Sequence, residues 1–367
     1  MMFVQYVTCQ TRRLSVPALL VLLCVAAVPA GPVRADEAAV NRFPVQQGGK
    51  YGFIDRTGKI VIDLTYSSAY DFTDGLAAVM VGGEPNTWGI VEGGKWGYID
   101  TMGKMVIPAS FDSTDGFSDG LAAVAVRDSW GFIDPTGRMK IRPQFRFQGM
   151  LQHPRFVDGR APVAHDGRLD IIDENGTVLH SLDSLDAWEF SEGMAAARSA
   201  RANAPRLWGY VDTSGALVIP CQFNAASRFM AGVAPVWDTS NDLGLTRYID
   251  HSGRQVFRDT FFGAGEFSEG LASVGKGSKR GFIDRKGKLV IPAKFFNLLN
   301  FSESLAAVRT QEGMKAPWGF IDRTGKLVIP CQFELARSFS GGLAKVWLGE
   351  DEGYIDRAGK FVWRAKR

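Results

Sequence analysis

Short apolar runs alternate with polar, glycine-bearing turns from about residue 50 to residue 367, in a pattern that repeats roughly every 34 residues. Two runs show it clearly, Trp318-Gly319-Phe320-Ile321 and Lys326-Leu327-Val328-Ile329. Both have strand length and are rich in β-branched or aromatic residues. Between such runs an Asp-x-x-Gly tetrad recurs nine times, at Asp55 and Gly58, Asp100 and Gly103, Asp134 and Gly137, Asp173 and Gly176, Asp212 and Gly215, Asp250 and Gly253, Asp284 and Gly287, Asp322 and Gly325, and Asp356 and Gly359. An Asp carboxylate accepts a backbone N–H two residues on, and glycine takes positive φ without steric cost. The tetrad therefore predicts a three-residue β-hairpin loop, a type I turn closed by a left-handed glycine.

A third strand follows in every complete unit, typified by Gly75-Leu76-Ala77-Ala78-Val79. One position in it is always Ala: Ala77, Ala122, Ala161, Ala195, Ala234, Ala272, Ala306 and Ala344. Two residues later stands Val, with Ala197 the exception. Residues two apart share a face of a strand, so both are expected in the core, with a neighbouring layer too close for more than a methyl group. The residue between them (Ala78, Pro162, Ser273 or Lys345, for example) is expected to face outward. The predicted architecture is all-β, a tandem array of eight to nine units, each a three-stranded antiparallel meander. An open, curved β-solenoid is favoured because eight to nine units is large for a ring; a closed β-propeller is the alternative. The partial ninth unit, 352–363, would cap an open end or complete the first unit by pairing near Lys50.

The strings Lys95-Trp96-Gly97-Tyr98-Ile99-Asp100 and Gly-Lys-x-Val-Ile-Pro resemble the WG, or KWG, repeats of bacterial repeat proteins. Trp is replaced by Tyr51, Leu169, Arg280 and Glu352, and Gly by Asp170 and Arg247; the fourth unit is the most degenerate. The resemblance implies binding or scaffolding and carries no catalytic assignment.

The chain before residue 50 has a different composition. Arg12 and Arg13 precede an apolar stretch from Val16 to Val28, and Val33-Arg34-Ala35 stands before Asp36, as expected of a secretory signal peptide (1–35) cleaved after Ala35. A linker at 36–49 and a repeat domain at 50–367 would follow. The expected location is periplasmic or secreted, with no transmembrane segment in the mature chain. Without those 35 residues, which hold three Arg and no acids, 39 basic residues balance 39 acidic ones. That balance argues against nucleic acid as a partner, because polyanion binding needs a surplus of Lys and Arg.

No cofactor, metal or catalytic constellation is expected. Each turn supplies a single carboxylate where calcium takes six to eight oxygens. His153, His165, His180 and His251 match no zinc spacing. Cys221 and Cys331 occupy the same slot of non-adjacent units, expected to lie too far apart for a disulfide. Recognition is placed instead on the connections that vary. From the turn Gly to the residue two before the constant Ala is 17 residues in all units but the third, where it is 22. From the Val slot to the next Trp-Gly glycine slot the count runs 18, 7, 7, 12, 11, 7, 11 and 7. Insertions in repeat proteins gather on one face that often binds. Trp88, Trp237, Arg201, Arg206 and Asp238 fall in or beside these loops and are the candidate binding residues. The expected function is non-enzymatic engagement of another protein by a monomer, with a cell-envelope glycan or peptidoglycan held by Trp88 and Trp237 as the alternative.

Overall fold

The computed structural model describes residues 41–365 except 87–90, 147–153, 166–167, 183, 188, 200–205, 239–244 and 350. The expected signal peptide, and the linker up to residue 40, lie outside the described residues. The described chain is built from β-strands joined by turns, with no helix among the described residues, and all strand pairs are antiparallel.

All nine tetrads form the predicted turn. The glycine N–H donates to the Asp carbonyl three residues back, as from Gly325 to Asp322 at 2.9 Å, and the Asp N–H donates to the carbonyl of the residue after the glycine. The glycines hold φ between 77° and 84°. The Asp carboxylate receives the backbone N–H groups two and four residues on, at 2.9 and 3.1 Å for Asp322.

Strand pairing corrects the phase of the repeat. The Leu-Ala strand pairs with the Trp-Gly strand of the following sequence unit, not with its own hairpin: Ala77 lies opposite Ile99 and Val79 opposite Gly97. Four of the sheets are meanders of four strands, as in Ser113–Thr114, Ala122–Val126, Ser129–Ile133 and Met139–Phe145, and the strands from Ser184–Ala187 to Leu289–Phe295 join into one continuous sheet of eleven. The predicted three-stranded unit straddles two sheets, because a hairpin turn and a longer connection cannot be told apart by period alone. The C-terminal hairpin of the partial unit consequently pairs with Ala344–Leu348 and completes the last sheet, rather than pairing near Lys50 to complete the first. Phe43–Gln47, assigned to the linker from sequence, is a strand that pairs with Lys50–Ile54.

The Trp-Gly glycine is explained by a bulge. Trp96 pairs with Phe111 and Tyr98 with Ile107, so Gly97 alone faces the three residues Pro108, Ala109 and Ser110. A methyl group on Gly97 would lie 2.6 Å from the Ile107 carbonyl oxygen and from the Ala109 nitrogen. In the degenerate fourth unit Asp170 stands in the glycine slot and the bulge is absent; Leu169, Asp170 and Ile171 pair one to one with Leu182, Ser181 and His180.

Each full sheet is covered on both faces. In Leu76–Val81, Ala77 and Val79 pack with Phe53 and Ile62 of the preceding sheet, while Ala78 and Met80 pack with Phe117 and Val124 of the following one. The expectation that the residue between Ala and Val faces outward is therefore wrong: Ala78, Ala123, Ala196, Ser273 and Ala307 are all buried. Alternation marks exposure only where one face of a sheet meets water. Ser273→Leu is accordingly expected to cost about 1–3 kcal/mol, like Ala272→Leu, by overpacking; matched urea midpoints for Ser273→Leu and wild type would refute this.

One set of contacts joins each unit to the next. The aromatic after the Trp-Gly glycine meets the Phe of the following Phe-Ser motif at 4.7–5.4 Å between ring centroids in seven cases, Phe53 with Phe72 through Phe320 with Phe339. Each turn glycine rests on the residue four positions after the previous turn glycine, as Gly137 does on Ile107 and Gly359 on Ile329. The two ends of the array make the same contacts with each other. Tyr354 meets Phe43 at 5.5 Å and donates its hydroxyl to the Pro44 carbonyl at 3.0 Å, and Gly58 lies against the backbone of Val362 and Trp363. The first sheet has only three strands, and Phe43, in the slot that is Ala elsewhere, supplies the ring that a Phe-Ser strand would bring.

Candidate functional site

An antiparallel meander places the turns after its first and third strands at one edge and the turn after its second strand at the other. The constant edge is tied together between units. Ser118, Ser191, Ser268 and Ser302 donate their hydroxyls to the carbonyls of Phe156, Phe229, Phe301 and Phe339 of the next unit, at 2.6–2.7 Å. Beside each Ser is a two-residue turn with both central residues at positive φ, such as Asp119 and Gly120. Its acid reaches the next unit's backbone: Asp74 to Gly120 N, Asp119 to Gly159 N, Glu192 to Gly232 N, Glu303 to Gly342 N. The staples from Ser118 and Asp119 are kept in the third unit, where the spacing is 22 instead of 17, so they fix the position of the turn and not the length of chain before it.

The opposite edge carries the connections of variable length. Trp88 and Arg201 lie outside the described residues. Arg206 is exposed. Trp237 is half-buried in Ala234–Asp238, opposite Thr246 and Ala225, and the backbone of Asp238 lies opposite Phe223. Arg206 precedes Trp208–Asp212, and Trp237 and Asp238 lie in Ala234–Asp238; both strands belong to one continuous sheet and pair with Leu217–Ala226 between them.

A second constellation was not foreseen. Charged side chains stand one or two residues before the Phe of the Phe-Ser motif, Asp71 within a first strand and Asp115, Arg155, Glu189, Arg228, Glu266 and Arg337 in the segments that lead into the Phe. The Phe points into the core, as Phe156, Phe229 and Phe301 do, so the residue before it points away. Neighbours in this row pair: Arg155 with Asp115 at 3.8 Å, and Arg228 with Glu189 at 3.8 Å and Glu266 at 3.3 Å. Burial pushes the Glu266 carboxyl above its ordinary range, with Arg228 opposing. The signal available in sequence was a charged residue recurring just before the Phe, alternating in sign from Asp115 to Glu266, and its meaning depends on which units become neighbours.

The degenerate unit holds a third cluster. Buried Asp170 accepts the Ser181 hydroxyl at 2.6 Å and lies 3.1 Å from His165 Nδ1. Nucleophilic catalysis requires the hydroxyl to donate to the imidazole. Here the carboxylate sits between the two, an order that satisfies a buried acid without activating the serine.

At the turns, Thr57, Thr136, Ser214, Ser252 and Thr324 donate side-chain hydrogen bonds that hold Asp55, Asp134, Asp212, Asp250 and Asp322 below the usual carboxylate range. At Asp173 burial works upward, but the backbone donors Thr177 and Asn175 outweigh it. A depressed folded-state pKa contributes stability that is fully present above the unfolded value and is lost as pH falls through the folded one. Thermal midpoints should therefore stay level down to about pH 5 as far as these groups are concerned, and drop through the ordinary Asp value of 3.8 and below. Asn at Asp55, Asp212 and Asp322 together should flatten that acid limb; an unchanged limb would assign it to other carboxylates.

Cys221 and Cys331 are half-buried and form no disulfide. No group of three or more His, Cys, Asp or Glu is placed to hold a metal ion among the described residues.

Comparisons bear on this geometry. None of the curated proteins matches the chain. Among solved structures it is similar to one titled "Crystal structure of the eukaryotic initiation factor", with TM-score 0.62, 9% identity, and coverage of 89% of this chain and 97% of that one. At that identity the likeness concerns the fold alone. Kluyveromyces lactis Hsv2p is similar at TM-score 0.38 and 8% identity, over 68% of this chain and 90% of that one. The family described as WG containing repeat matches residues 51–84, 96–128, 130–168, 208–236, 281–313 and 318–348. Those matches take in more than half of the sequence, and their boundaries follow the Trp-Gly strands: the chain belongs to the WG-repeat family.

Proposed function

We propose that this chain is a non-enzymatic binding or scaffolding protein, exported from the cytoplasm, whose sheets close into a propeller-like ring and whose variable-loop edge engages another protein. Closure is supported by the contacts of Tyr354 with Phe43 and Pro44 and of Gly58 with Val362, which repeat at the ends the contacts made between internal neighbours. The single observation that carries the functional reading is the asymmetry between edges. One is stapled unit to unit through Ser118, Asp119 and their equivalents. The other holds connections of 7 to 18 residues. A surface free of the staples accepts insertion without loss of the core, which suits recognition.

The test is a pull-down from a cell-envelope extract with the wild-type chain, a variant with 82–94 trimmed to the short form of its neighbours, and Trp88→Ala. Trimming should leave the thermal midpoint within a few degrees, because loop shortening changes closure entropy by only about 1 kcal/mol. Both variants should lose the captured protein, a truncated aromatic anchor costing about 2 kcal/mol or more. Retention of the wild-type partner set by both would return the loop to neutral variation, and capture of peptidoglycan with no protein would favour the glycan reading.

A further inference from the structure

Positive charge is concentrated in one stretch of the repeat domain. Residues 276–296 hold seven Lys or Arg and a single acid, Asp284, which leaves the rest of 36–367 with 32 basic against 38 acidic residues. The fold divides these cations between the two edges. Arg285, Lys286 and Lys288 fall in and beside the turn at the stapled edge, whereas Lys276 and Lys279 flank the tight hairpin at the variable edge. Those two lysines are exposed and stand directly opposite each other in register. Like charges in that relation destabilise a hairpin, so folding alone does not select them. In the second sheet Lys95 fills the slot of Lys279 and is paired with Asp112. Here Phe296 stands where Asp112 does, and Lys279 Nζ lies over its ring at 5.2 Å; Lys294 Nζ lies over Phe295 at 5.3 Å. The Phe296 N–H donates to the Arg309 carbonyl at 2.9 Å, which brings the adjoining sheet's Arg309, stacked on Trp318, to the same edge. Among the described residues none of these four cations forms an ion pair. Beside them Phe262 is exposed opposite Gly275, and the Gly263 carbonyl accepts Arg280 Nη2 at 2.6 Å, so an apolar ring is fixed next to the charges.

We infer that this patch docks an acidic segment of a protein partner, whose carboxylates take Lys276, Lys279 and Lys294 and whose apolar side chain rests on Phe262. The inference rests on the reading that the variable edge engages a protein, and adds the chemistry of that protein's contact. A carboxylate supplied from outside restores at Lys279 the pairing that Asp112 gives Lys95. The aromatic faces hold the ammonium groups in place, which lowers the side-chain entropy lost on binding. A short segment suits the patch better than a nucleic acid or an anionic membrane. Those extended polyanions would also meet the exposed Glu84, Glu92 and Asp128 on the same edge, and a chain otherwise in acidic excess repels them.

The probe is a short fluorescein-labelled peptide of Glu and Asp with one Leu, followed by anisotropy at low salt. Its counterpart with Gln and Asn at the acidic positions, a single-stranded oligonucleotide and vesicles containing phosphatidylglycerol serve for comparison. The acidic peptide should bind saturably and the amide counterpart should not, and about 0.5 M salt should weaken binding about tenfold or more. Lys276→Gln with Lys279→Gln should weaken it about tenfold or more, without lowering the thermal midpoint. Lys286→Gln with Lys288→Gln removes the same charge from the stapled edge and should change it less than about twofold. Equal loss from the two pairs, or no peptide binding, overturns the patch. Tighter binding of the oligonucleotide or the vesicles through Lys276 and Lys279 overturns the partner class. The envelope pull-down separates this inference from the loop reading. A captured protein that the Lys276→Gln, Lys279→Gln chain still holds overturns the patch and leaves the edge reading standing. Peptide binding through the two lysines, with the captured set unchanged by trimming 82–94 and by Trp88→Ala, upholds the patch and overturns the loop.

Discussion

Gly319→Ala is expected to be among the most damaging changes in this protein, costing about 3 kcal/mol or more from a single added methyl group. The new Cβ would stand 2.5 Å from the Ile329 carbonyl oxygen and 2.7 Å from the Cys331 nitrogen. Both are backbone atoms of the bulged neighbouring strand, so no rotamer change relieves the contact. The strand cannot retreat either, because the Ile329 side chain is fully buried and carries Gly359 of the next turn. The comparison that isolates this mechanism is Asp170→Gly in the fourth unit. There the pairing is one to one, and the loss would instead come from Ser181 and His165 left without their shared acid. Chemical denaturation of both variants gives the answer. A Gly319→Ala protein within about 0.5 kcal/mol of wild type would mean that the bulge is not what selects glycine.

Phe43→Ala is the second large effect, about 3 kcal/mol or more for a buried ring. Its distinctive consequence lies more than 300 residues away in sequence. Phe43 packs on Tyr354, and Tyr354 bonds the Pro44 carbonyl. Amide exchange in Asp351–Ile355 and Phe361–Arg364 should therefore rise together with that in Lys50–Ile54, while Ala122–Val126 stays near wild type. A double-mutant cycle with Tyr354→Ala should return a coupling of about 1 kcal/mol, the range for an aromatic pair. Zero coupling and exchange confined to the first sheet would refute the closed reading.

The closure proposed here would explain two departures from the repeat. The first strand among the described residues carries Phe43 where the other units carry Ala, and its ring takes the place beside Tyr354 that a Phe-Ser ring takes in the internal units. The first sheet keeps three strands, and the ends meet through faces rather than by exchanging a strand. Pro44 in that edge strand has no N–H to offer a further strand, and its carbonyl is taken by Tyr354.

Local structure was legible in the sequence wherever the information is carried by neighbours in the chain. Asp322 and Gly325 specify a turn because a carboxylate two residues from an N–H and a residue tolerant of positive φ act within four residues. The constant Ala spoke of close packing, and the strand length and residue types of the flanking runs spoke of β-structure. The WG-repeat resemblance followed from the same strings. Other features depend on which strands become neighbours, and only the tertiary structure decided them. The repeat period is the same whichever strand begins a unit, so periodicity could not assign the Leu-Ala strand to the following Trp-Gly strand. Ser273 resembles a solvent-facing residue until a second sheet covers that face. The Trp-Gly glycine is selected by the backbone of the strand paired with it, reached only after the hairpin has formed. The charged slot before each Phe acquires meaning from residues some 35 to 40 positions away, as Arg228 does from Glu189 and Glu266. The contact of Tyr354 with Pro44 joins the two ends of the chain. Short-range chemistry is written locally; pairing, coverage of faces and the meeting of ends arise from packing summed over the whole array.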